Sequence, residues 1–154
     1  MMLKILSVFL VLLTLPLGTR THSEELPPMV SIFSVKQEKV VKVTPLTSTM
    51  NQSILDALQS SPTPYGGFSV DPKAGLIVHV PYSSPIAVTN PIYSDVIKEV
   101  YLFLEPGQSL RALLFYSSSH KNAVVDLKYD MERFIRSNDL GELWSDRSVT
   151  NGRP

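Results

Sequence analysis

The chain has 154 residues, with 14 Lys plus Arg against 14 Asp plus Glu, 12 prolines and no cysteine. A formal charge of zero without a basic stripe speaks against a nucleic-acid partner, because neutralising phosphates supplies most of the affinity of such proteins. The missing cysteine excludes disulfides, thiolate metal ligands and a cysteine nucleophile, so stability must come from packing.

The chain opens MMLKILSVFLVLLTLPL, with one charge at Lys4 and an apolar run from Ile5 that reaches Leu17, interrupted by Ser7, Thr14 and Pro16. An apolar core of about thirteen residues fits an export signal and falls short of the roughly 20 residues of a membrane-spanning helix. Pro16 and Gly18 break the run, and Thr21 and Ser23 stand at the small-residue positions of a cut after Ser23. The expected organisation is a signal peptide over residues 1–23, one α+β domain over 24–144 and a flexible tail over 145–154. Removing Lys4 and Arg20 leaves twelve basic against fourteen acidic residues, a mildly acidic mature chain. The expected location is secreted or extracytoplasmic, and an uncleaved signal segment is the one route by which the domain would be membrane-tethered.

Residues 29–43 are rich in Val, Ile and Phe and read as two strands, 30–35 and 39–43, around Lys36-Gln37-Glu38. Thr44-Pro45 ends the run. Ser48 or Thr49 then caps a helix with Met50, Ile54, Leu55 and Leu58 at helical spacing, stopping near Ser60 before Pro62 and Pro64. GFSVDPKAGLIVHVP, residues 67–81, reads as a hairpin: Pro72 presets a turn, Gly75 takes a left-handed conformation, and Val70 pairs with Leu76. The three prolines of residues 81–91 indicate a long connection. Asn90-Pro91 resembles a helix start, giving a short helix over 91–98, followed by strands 100–104 and 110–116 around Glu105-Pro106-Gly107-Gln108. After the SSSHKN loop, Val124, Leu127, Met131, Phe134 and Ile135 form one helical stripe, with Asn138 and Gly141 as its stop. Leu143 and Trp144 fold back onto the domain. The fold class is therefore α+β: a mostly antiparallel sheet of four to six strands with two or three helices packed on it, preceded by a cleavable N-terminal signal helix.

His79 and His120 are the two imidazoles left after signal removal, too few and too far apart in sequence for a zinc site. No H-E-x-x-H, phosphate loop or G-x-S-x-G elbow occurs, so no metal and no cofactor is expected. On the expected last helix Asp126 and Asp130 share a face, but Lys128, Glu132 and Arg136 make that face an ordinary ion-pair surface. Tyr65, Tyr82 and Tyr93 lie in or beside proline-rich loops, where a rigid amphipathic ring suits recognition. The function expected is a non-enzymatic binding protein of the cell envelope or exterior, recognising a protein or polysaccharide through those loops. The alternative is a small exported hydrolase using His79 or His120 with an acidic partner, Asp126 or Glu99.

Overall fold

The computed structural model describes residues 26–67 and 69–145. The expected signal segment lies outside them, as does the expected tail beyond Ser145. Among the described residues, seven strands form one antiparallel sheet: β1 (Met29–Ser34), β2 (Lys39–Pro45), β3 (Thr63–Pro64), β4 (Leu76–Ile86), β5 (Ile97–Leu104), β6 (Leu110–Tyr116) and β7 (Asn122–Leu127). Their order across the sheet is β2-β1-β4-β5-β6-β7-β3. Three helices accompany them: α1 (Ser48–Gln59), α2 (Met131–Ser137) and α3 (Gly141–Ser145). The α+β class and the antiparallel sheet agree with the sequence reading, but the sheet holds seven strands rather than four to six.

Period-two alternation sorts the strands into two faces. Ile32, Val78, Leu102, Ala112 and Val125 stand side by side across five strands, all at most 2% exposed. With Val30, Leu76, Val80, Val100, Leu104, Leu110, Leu114 and Leu127 they form the inner face. Helix α1 covers it with Met50, Ile54, Ala57 and Leu58. The Thr47 hydroxyl starts this helix by accepting the Met50 amide at 3.1 Å, one residue ahead of the expected cap, and the helix ends at Ser60 as its prolines dictate. Phe134, Ile135, Leu140 and Trp144 bring α2 and α3 onto the same core.

Chain crossings explain where the open surface lies. Helix α1 leaves β2 at one sheet edge and delivers the chain to β3 at the other, so it crosses the inner face. The return from β3 to β4 takes residues 65–67 and 69–75 across the outer face. Tyr65 of this segment lies under the Arg111 guanidinium of β6 at 4.1 Å, and the Lys73 amide donates to Glu105 Oε1 at 2.8 Å.

Several sequence expectations are corrected. The hairpin over 67–81 does not form: Leu76 pairs with Leu104 and Ser34, and Val70 has no strand partner. Its Gly75 is left-handed as expected, but it ends a crossing rather than a turn. The connection expected over 81–91 begins later, because β4 runs on to Ile86 with an irregular stretch between Pro81 and Ile86. Pairing with β1 covers only Leu76 to His79, so β4 has one free side beyond that point and tolerates Pro81 and Pro85 there. No helix forms over 91–98; Asn90 instead makes one turn, its Oδ1 accepting the Ile92 amide and its backbone carbonyl the Tyr93 amide. A register shift between Ile97 and Glu99 puts Ile97 and Val100 on the same face, so a bulged strand imitates helical spacing. The single helix expected from Val124 to Arg136 is two elements. Residues 122–127 pair with β6, and α2 begins only after Asp130, whose carboxylate accepts the Arg133 amide at 3.1 Å.

Candidate functional site on the outer sheet face

The outer face is built from the residues that alternate with the core. One cross-strand row runs Val43, Ser31, His79, Tyr101, Leu113 and Val124; a second runs Val40, Phe33, Ile77, Phe103, Arg111 and Asp126. Residues 65–67, 69 and 70 shelter the β6–β7 half, where Tyr65, Val70, Leu113 and Val124 line a recess of about 440 Å³. Among the described residues nothing covers the β1–β2 half in this way, and Val40 and Val43 are 52% and 56% exposed.

A bulge produces that exposure. Ile32 faces Lys42 and Phe33 faces Val40, so Val41 is skipped in the pairing. Regular alternation would put Val41 and Val43 on one face. The extra residue instead turns Val40 and Val43 outward while Val41 packs against the core.

At the centre, the His79 ring stacks on Tyr101 with centroids 4.1 Å apart, and Phe115 meets Tyr101 edge-on at 5.8 Å. His79 Nε2 lies 3.1 Å from Glu99 Oε2, both side chains about a quarter exposed. Burial first, and then the Glu99 carboxylate, pushes the Tyr101 hydroxyl above its ordinary range. The group is an aromatic platform with a hydrogen-bonding rim.

The sequence-predicted residues are scattered. His79 meets Glu99, as the hydrolase alternative requires. His120 sits exposed in the β6–β7 loop in a left-handed conformation, with no hydrogen bond to His79 or Asp126 among the described residues. That serine loop is pinned by Asp95, whose Oδ2 accepts the Ser118 and Ser119 amides at 3.0 and 2.8 Å. Those bonds, the Ser119 amide foremost, hold the Asp95 carboxyl below its ordinary range. Asp126 is no helix residue: from β7 it accepts Arg111 Nε and Ser109 Oγ, each at 3.2 Å. No group of three or more metal-ligating side chains occurs among the described residues.

Nor do the three tyrosines share a surface. Tyr65 lies on the outer face beneath Arg111. Tyr82 is on the helix side, donating to Asn51 Oδ1 at 3.2 Å, and Tyr93 is in the core, its hydroxyl donating to the Leu58 carbonyl at 2.5 Å. Sequence reasoning missed Val40, Val43, Tyr101 and Phe115. The signal available was an excess of apolar residues on both faces of β5 and β6.

Two tests arise here. Arg111→Gln removes the guanidinium that holds Tyr65 and bonds Asp126; amide exchange across residues 65–75 is expected to speed up about tenfold, while β4 and β5 amides keep their protection. Burial pushes the Tyr82 hydroxyl up to about 12 from 10.0. Below pH 10 the phenol is protonated in folded and unfolded chains alike, so its stabilisation is whole. Between pH 10 and about 12 the unfolded chain ionises first and stability falls. Burial raises Tyr93 as well. Urea midpoints measured over that window should decline, and Tyr82→Phe should flatten the decline.

No family model, curated relative or solved structure matches the chain.

Proposed function

We propose that the chain is an exported, non-enzymatic binding protein of the cell envelope or exterior, and that a protein partner docks on the outer sheet face rather than on the tyrosine loops. One observation carries this reading: Val40 and Val43 stand half exposed in register with Phe33 and the His79–Tyr101 pair. Apolar side chains grouped beside an aromatic centre and a polar rim have the composition of a protein interface. Aliphatic valines offer a polysaccharide neither hydroxyls nor a ring to stack on, which favours the protein over the sugar. The apolar N-terminal segment supports export.

The double variant Val40→Ser, Val43→Ser tests the proposal. Both positions are exposed, so the stability change is expected to stay within about 1 kcal/mol. Capture of a partner from envelope extract should fall at least about tenfold, while Arg136→Ala on the helix side captures normally. Undiminished capture by the double variant overturns the proposal.

The His79–Glu99 contact favours a second reading, a small exported hydrolase in which the carboxylate orients an imidazole base. Hydrolysis of p-nitrophenyl acetate that disappears in His79→Gln would support it; equal rates for the two proteins would remove it.

A further inference from the structure

The two edges of the sheet are treated differently. At one edge β3 consists of Thr63 and Pro64 alone, and proline has no amide hydrogen to offer a further strand. At the other, β2 presents seven residues and, among the described residues, pairs with β1 only. Its valines Val40 and Val43 line the outer face, while Lys39 and Lys42 stand opposite Ser34 and Ile32 on the inner side. A strand laid against this edge meets valine on one face and lysine on the other.

We infer that β2 is a strand-addition site for an extended, acidic segment of the partner protein, with carboxylates opposite Lys39 and Lys42 and apolar side chains beside Val40 and Val43. This rests on the outer-face reading above and narrows it to one partner class. Main-chain hydrogen bonds along the open edge supply attachment, and alternate side chains supply selection. Charge decides between an acidic strand and a second copy of this chain. An antiparallel pairing of two β2 strands centred on Lys42 sets that lysine against its own counterpart, and like charges directly opposite are destabilising. Lysines and a bulge on an edge deter self-pairing, and the same lysines reward glutamate or aspartate.

The test uses the protein as its expressing cells deliver it, a short capped peptide alternating glutamate and valine, and the matching lysine–valine peptide, both of the length of β2. Amide NMR and hydrogen exchange are expected to show Lys39–Pro45 shifted and protected by the acidic peptide, which binds about tenfold tighter than the basic one. The double variant Lys39→Glu, Lys42→Glu should reverse that preference, and Lys39→Gln, Lys42→Gln should abolish it, each with an unchanged melting temperature. Unprotected β2 amides, or a preference indifferent to both double variants, overturn the inference. Shifts confined to His79 and Tyr101 overturn strand addition while leaving outer-face docking intact; silence at both places removes both. Self-association through β2, seen by sedimentation without peptide, gives the edge to a second copy and overturns the inference too.

Discussion

Gly75→Ala is expected to lower the unfolding free energy by about 3 kcal/mol or more, the largest loss anticipated from adding one methyl group. Gly75 adopts φ +89°, where an L side chain costs about 1–2 kcal/mol. Its position is also closed: a Cβ there would stand 1.9 Å from the Leu104 carbonyl oxygen, which is backbone and cannot swing away. Leu104 pairs with Leu76, and the Gly75 carbonyl accepts the Val35 amide at 3.1 Å. Relief therefore requires β4 to separate from β5 or from the β1 hairpin. Gly107 provides the internal comparison, with φ +76° and open space around its Cβ position. Gly107→Ala should cost only the conformational part, about 1–2 kcal/mol. Urea unfolding followed by the fluorescence of the single tryptophan, Trp144, measures both; equal losses would show that the Leu104 contact does not matter.

Phe134→Ala is expected to cost about 3–5 kcal/mol. Phe134 is fully buried and, with Ile135, anchors α2, a helix of two turns, in the core. Asn138 donates its side-chain amide to the Phe134 carbonyl at 2.8 Å, and the Leu140 amide donates to Ile135, so α3 is seated through the same turn. Truncation leaves a cavity between α2 and the sheet that short helices relax into only by leaving the core. Loss of the Trp144 fluorescence signal at a lower urea concentration than loss of sheet circular dichroism would show α2 and α3 departing first. Coincident transitions with a loss under about 1 kcal/mol would contradict the assigned role.

Elements governed by local chemistry were legible in the sequence. Proline and hydroxyl boundaries bracket α1, and the β5–β6 turn over Glu105-Pro106-Gly107-Gln108 and the return of Leu143 and Trp144 were equally plain. What failed depended on partners distant along the chain. Residues 122–127 form a strand because β6 lies beside them, and Leu127, Met131 and Phe134 happen to keep helical spacing through the junction. Asp130 marks the helix start, and helical spacing that reaches back to Val124 conceals its capping role. The bulges at Ile97 and Val41 each changed a face assignment by one residue, which periodicity cannot anticipate.

The candidate surface was hidden for the same reason. Val40 and Val43 look like opposite faces of a strand until the bulge turns both outward. Tyr93 looked like a recognition residue because a proline-rich loop precedes it, yet its hydroxyl is the donor that satisfies Leu58 at the end of α1. His79 and Glu99 are twenty positions apart, and only the β4–β5 register brings them together.

Site-directed photocrosslinking tests the outer-face reading most directly. A benzoylphenylalanine introduced in place of Val43, and separately in place of Arg133 on the helix side, reports which face the partner covers. The Val43 position is expected to give a partner adduct that competes away with unlabelled protein, and the Arg133 position none. Adducts from Arg133 with silence at Val43 would contradict it.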